Sequence, residues 1–280
     1  MTLGILGGTG LYALPDLEVV ERRQIDTPFG TPSAAVVLGR WHGRNLAFLP
    51  RHGEQHALLP SEINFRANLW ALKTVGVREV VAVSAVGSLR EEVRPGELCV
   101  VGQYLDWTRG RPSTFFGGGL VAHISSAEPA CPRLTALLTR AATAAGQKLG
   151  TGKTYACVEG PRLGTRAESF FLRDAGADVV GMTAVPEVFL AREAQLCYLT
   201  LAVVTDYDCW KDDPAEHASV QQVMARYREA QARVQKLLAA LLREQAAGAC
   251  ACRTALKQAV LSREESLTPE HKALLALLRA

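Results

Sequence analysis

Residues Leu196–Trp210 read LCYLTLAVVTDYDCW. The run from Leu196 to Val204 is rich in apolar, β-branched and aromatic residues, which marks a buried strand. It ends in two carboxylates, Asp206 and Asp208. In an extended segment residues i and i+2 point the same way, so the two acids share a direction. Like charges side by side repel. Such a pair stands in solvent, binds a metal, or meets a ligand with donors to offer.

Working outward, similar runs recur with helix-like segments between them. LGILGGTGLY is a short buried strand entering a glycine turn, and AAVVLGRWHGRNLAFLP is a hairpin turning at Gly43. Ser61 caps a helix over SEINFRANLWALKTVG that Gly76 ends. REVVAVSAVGSL, ELCVVGQYLDW and KTYACVEG are further strands. Helices are expected after Pro132, over RAESFFLRDAG, over VPEVFLAREA and over an amphipathic stretch from about Ser219 to Gln245. ADVVGMT is a short strand between two of them. Pro112–His123 reads as a mobile glycine-rich loop, and Thr268-Pro269-Glu270 starts a last helix. Strands interleaved with helices predict one α/β domain over residues 1–280, with a central mixed sheet flanked by helices.

The 280 residues are 48% hydrophobic and 21% charged, with a net charge of +3, an ordinary globular balance. That charge is too small and too scattered to argue for nucleic acid. MTLGILGGTG lacks the basic start of a secretory leader, and no apolar run reaches membrane-spanning length. A cytoplasmic protein without membrane or nucleic-acid partners is expected. The seven cysteines read as reduced core thiols. With no C-x-x-C pair, no metal site is expected. Cys250-Ala-Cys252 is either a linker or a tight disulfide.

Ligands in open α/β folds sit beyond the carboxyl ends of strands. Gly8-Thr9, Arg51-His52, Ser84-Ala85, Met182-Thr183 and Asp206–Asp208 all follow strand-like runs. GILGGTG misses the G-x-G-x-x-G spacing of a dinucleotide site, so a nicotinamide-dependent oxidoreductase is disfavoured. It suits an anion turn in which backbone N–H groups and Thr9 face a phosphate. Arg51 offers a fork of parallel donors and His52 a further one. Ser84 and Thr183 add hydroxyls, and Met182 a polarisable surface for a sugar or base. Glu159, Arg162, Arg166 and Glu168 read as ion pairs that shape a loop.

These motifs together resemble the nucleoside phosphorylase family in its trimeric purine branch, and within it the members that act on 5′-methylthioadenosine. The carriers are GILGGTG, DTPFGTPS, RHGEQHALLPSEINFRANLWALK, SAVGSLRE with RPGEL, VEGPR with RAES, DVVGMTAVPEVFLAREA and TDYDCW, in the family's order from Leu3 to about Gln245. Residues 246–280 match less well. The resemblance implies phosphorolysis of 5′-methylthioadenosine to adenine and 5-methylthioribose 1-phosphate. No cofactor is implied, because inorganic phosphate is the co-substrate. Thr9, Arg51, His52, Ser84, Ala85 through its backbone, and Thr183 would hold phosphate. Met182 would lie against the nucleoside. Asp206 would protonate purine N7 and Asp208 would read the 6-amino group. Val220, Val223 and Met224 would line an apolar 5′ pocket. His123 would come from a neighbouring subunit of a homotrimer, alone or paired into a hexamer. Leu163-Gly164 replaces the family's aromatic–serine pair and weakens the grip on base and sugar. A purine nucleoside phosphorylase of broad specificity is the alternative; a binding protein without turnover is disfavoured by the competent phosphate residues.

Overall fold

The computed structural model describes residues 2–8, 14–213, 216–244 and 249–280. Its described strands are β1 (Thr2–Gly7), β2 (Glu18–Arg23), β3 (Val36–Trp41), β4 (Arg44–Pro50), β5 (Val77–Ser88), β6 (Leu98–Trp107), β7 (Gly150–Val158), β8 (Val179–Gly181) and β9 (Cys197–Asp206). The helices are α1 (Phe65–Thr74), α2 (Pro132–Ala144), α3 (Arg166–Asp174), α4 (Glu187–Glu193), α5 (Val220–Arg243) and α6 (Pro269–Arg279). The sheet order is β2-β3-β4-β1-β5-β8-β7-β6-β9, and β9 also pairs with β5. That last pairing closes β5, β8, β7, β6 and β9 into a ring. The expected mixed α/β sheet is therefore present, with part of it rolled into a small barrel.

Burial explains the uniformly apolar strands. Along β5, Val80, Ala82 and Val86 face one core, and Val81 and Val83 face the other. β9 alternates likewise, with Tyr198 and Ala202 on one side and Leu199, Leu201 and Val203 on the other. Helices α1, α4 and α6 cover the first face; α2 and α5 cover the second. With both faces covered, both are mostly apolar, and the few polar residues, such as Ser84 and Thr200, are hydrogen-bonded. Each fully buried leucine contributes about 1.5–3 kcal/mol of transfer free energy. No described helix is long and apolar enough to cross a membrane.

Several boundaries differ from the sequence reading. Asn64, not Ser61, caps α1, accepting from Ala67 N–H at 3.1 Å. β2 has no buried residue, so it carries no apolar pattern to detect; it pairs with β3 at the sheet edge. The glycine-rich loop is pinned rather than free: Thr114 Oγ1 and Phe115 N–H donate to Glu193 at 2.8 and 2.7 Å. The cysteines are not dispersed either. Cys131, Cys197, Cys250 and Cys252 place their sulfurs within 4.8 Å of one another. This gathering is invisible to a search for closely spaced pairs, since β9, the start of α2 and the C-terminal segment each contribute.

Candidate active site

β1, β4, β5 and β9 run parallel, so their carboxyl ends share one edge of the sheet. At that edge β9 delivers Asp206 and, one turn on, Asp208; both are 7% exposed. Asp206 Oδ1 accepts from Asp208 N–H at 2.8 Å, and Oδ2 accepts from the Thr205 hydroxyl at 2.7 Å. Asp208 sits in the left-handed region at φ 53°. Its Oδ2 accepts from Ser169 Oγ, a buried residue of α3. Burial pushes both carboxyls above their ordinary range and outweighs these hydrogen bonds. Burial of the pair therefore favours the protonated form of each acid relative to an exposed carboxyl.

Ser84 and Ala85 lie within β5 rather than after it. β8 runs antiparallel to β5, so Met182 and Thr183 arrive from the opposite direction to the other clusters. Ser84 Oγ still meets Thr183 Oγ1 at 3.2 Å. Tyr155 of β7 joins them, its hydroxyl 3.4 Å from Ser84 Oγ and accepting from Thr183 N–H at 3.4 Å. Met182 rests against the Gly160 backbone, where a Cβ would stand 2.4 Å from Sδ. Arg111 holds the Met182 carbonyl at 2.8 Å and the Glu159 carbonyl at 3.0 Å, fixing both loops.

Arg51 follows β4 and is 2% exposed. It forms a bidentate pair with Glu187 of α4, at 2.7 and 2.9 Å, and donates to the Val83 carbonyl at 3.1 Å. Burial alone would lower the Arg51 pKa, but the Glu187 charge and hydrogen bonds raise it. Among the described residues three of its five N–H donors are engaged, at Nε, Nη1 and Nη2. Glu187 also accepts from Tyr198 at 2.8 Å. His52 Nδ1 lies 2.9 Å from the Leu58 carbonyl, which only accepts, so Nδ1 carries the proton. Burial pushes His52 down to about 4, leaving the ring neutral. Nε2 then presents a lone pair: His52 accepts here rather than donates, and it suits a protonated oxyanion. Gly8 at the end of β1 adjoins the His52 ring.

The remaining candidates divide. Gly164 adjoins the Asp208 carboxylate, and Leu163 beside it is largely exposed. Val223 and Met224 are half-buried at the start of α5, while Val220 is exposed. Asp208 O accepts from Ala218 N–H, which ties this helix start to the acids. His123 is exposed, with its N–H on the Ala259 carbonyl; no described hydrogen bond links it to the cluster. Thr9 lies outside the described residues. Arg162 and Glu168 pair at 2.6 Å beside the Thr165 cap of α3, as a loop-shaping contact should. Sequence reasoning missed Glu187, Tyr155, Ser169 and Arg111. Glu187 lay within a helix pattern and Tyr155 within a strand pattern, and only their lack of exposure distinguishes them. A cavity of about 590 Å³, lined by Trp41, His42, Ala144 and Lys236 among others, lies away from the acids.

Comparison with known proteins fits this geometry. The profile of the phosphorylase superfamily matches residues 2–243. The S-methyl-5′-thioadenosine phosphorylase of Thermofilum pendens is 46% identical over 260 residues, 92% of this chain and 98% of that protein. The enzyme of the same name from Chloroflexus aurantiacus is 52% identical over 210 residues, 75% and 73% of the two chains. A crystal structure of a methylthioadenosine phosphorylase from an antarctic soil metagenomic library superposes with a TM-score of 0.89 at 43% identity, covering 99% of this chain and 98% of the other. The Schistosoma mansoni methylthioadenosine phosphorylase in complex with adenine gives 0.83 at 38% identity, covering 86% and 91%.

Proposed function

This chain belongs to the phosphorylase superfamily, and from that premise we propose that it cleaves 5′-methylthioadenosine with inorganic phosphate, yielding adenine and 5-methylthioribose 1-phosphate. The observation that carries the proposal is the buried Asp206–Asp208 pair beside a hydroxyl cluster. Gly87 pairs with Asp206, and Ser84 lies three residues earlier on β5, about 10 Å along the strand. That span suits a nucleoside with phosphate at one end and purine at the other.

Phosphate lies against Ser84, Thr183 and the Ala85 N–H, with Thr9 and Arg51. His52 Nε2 takes a hydrogen bond from a protonated phosphate oxygen. A phosphate oxygen forms the new bond to C1′ as the C1′–N9 bond breaks, through a state resembling an oxocarbenium ion. The electron pair passes to the purine, and Asp206 gives its proton to N7. That transfer helps most as charge develops on the base. Asp208, held by Ser169, accepts from the 6-amino group. A carboxylate there rejects a 6-oxo group, which offers it no hydrogen. Met182 packs on the nucleoside, and Val220, Val223 and Met224 receive the apolar methylthio group. The reaction needs no cofactor.

His123 serves the neighbouring subunit in a homotrimer. Its exposure supports this, as does that of Val121 and Leu261 beside it, 46% and 64% exposed.

The test is purine release from methylthioadenosine, adenosine and inosine, each with and without phosphate. Phosphate-dependent release, fastest from methylthioadenosine, is expected. Faster release from inosine would overturn the reading of the acids; release without phosphate would overturn the phosphate site.

A further inference from the structure

We propose that Cys131, Cys197, Cys250 and Cys252 form a tetrathiolate site for a single zinc-like divalent cation that staples the C-terminal segment to the sheet. The four sulfurs lie within 4.8 Å of one another, and Cys131 and Cys250 are 3.4 Å apart. A tetrahedron of zinc–sulfur bonds about 2.3 Å long has edges of about 3.8 Å. Small side-chain adjustments close the difference. Sulfurs this close surround one ion rather than a multi-iron cluster. Soft thiolates select zinc over magnesium or calcium.

The surroundings match the charge such a site carries. Four thiolates around a dication leave two negative charges. Arg133 and Arg192 each direct an Nη–H at a sulfur, on Cys197 and Cys252, both at 3.3 Å. Leu134 N–H points at Cys131 Sγ at 3.4 Å. Outer donors of this kind hold metal-bound sulfurs in place. Arg133 is itself held by Glu79. Cys131, Cys197 and Cys252 are buried, and half-buried Cys250 leaves an approach from solvent. On binding, the cation replaces the four thiol protons, which leave to solvent.

The ligands come from three places. Cys131 caps α2, Cys197 opens β9, and Cys250 and Cys252 lie beyond α5. The segment after Cys252 carries Ala259, whose carbonyl holds His123 N–H, and then α6, which packs on α1. Loss of the cation therefore frees the chain's far end and the backbone at His123.

The experiment isolates the full chain from zinc-replete cells under reducing conditions, measures metal by mass spectrometry, and titrates the reduced, metal-free protein with cobalt(II). About one zinc per chain and the intense visible bands of tetrahedral cobalt thiolate are expected. Cys250→Ser, at the partly exposed corner, should lose both, while Cys99→Ser keeps them. Chelation should lower the thermal midpoint of the wild type but not of Cys250→Ser. Absence of cobalt bands in the reduced protein, or disulfides among the four cysteines as isolated, would overturn the proposal.

Discussion

Gly87 and Asp206 meet at the junction of β5 and β9, where a Cβ on Gly87 would stand 2.8 Å from Asp206 Oδ1. The same Cβ would press on Asp208 Cβ at 3.3 Å. Only hydrogen at this position leaves both acids where they are. Gly87→Ala should keep the fold but displace the Asp206 carboxylate. Displacements near 1 Å can cost about 100-fold in rate. Steady-state kinetics with methylthioadenosine should show that loss mainly in kcat; an unchanged kcat would separate Asp206 from the chemistry.

Asp206→Asn removes the proton donor but keeps the shape. General acid catalysis contributes typically 10²–10⁴-fold, so turnover of methylthioadenosine should fall within that range. N7 is common to adenine and hypoxanthine, so turnover of methylthioadenosine and inosine should fall together; a loss on methylthioadenosine alone would count against the assignment to N7.

Arg51 and Glu187 are paired with almost no solvent contact, at 2% and 0% exposure. Glu187→Ala strands a buried guanidinium, and breaking such a pair costs about 3–5 kcal/mol. Urea unfolding should show that loss, and the Michaelis constant for phosphate should rise in any folded variant as Arg51 shifts. Stability within experimental error of the wild type would refute the pairing.

Glu193 anchors the loop that carries Phe115. Burial pushes its carboxyl up from 4.5 to about 7, against the two hydrogen bonds it accepts. Between those values the folded chain keeps a proton that the unfolded chain has shed. Stability from this group is therefore full below about 4.5 and is lost as pH rises through about 7. Glu193→Gln should remove that slope. Urea midpoints at pH 5 and pH 8 should differ less in the variant than in the wild type, and an identical difference would mean the loop does not hold Glu193 as described.

Much of the architecture is legible in the chain itself. Uninterrupted apolar runs at β5 and β9 imply strands covered on both faces, and the alternating cores bear this out. Ser219 and Thr268 cap α5 and α6 where the sequence places them. Both acids are buried, but Asp208 lies past the end of β9 at φ 53°, so the extended i, i+2 geometry of the sequence reading does not carry it. β2 escapes notice because a fully exposed edge strand has no apolar face. The antiparallel approach of β8 escapes because strand direction depends on how the chain crosses over, which a three-residue strand does not encode.

What the sequence determined alone was residue type and period: which segments are buried, where α5 and α6 start, and which polar groups accompany apolar runs. Only the tertiary structure decided who meets whom. Glu187 reaches Arg51 across 136 residues, Tyr155 reaches Ser84 across 71, and Ser169 reaches Asp208 across 39. The four cysteines assemble from three separate elements. Local propensity acts over a few residues, whereas partners of buried charges, hydroxyls and thiols are chosen by packing, because a buried polar group without a partner is costly.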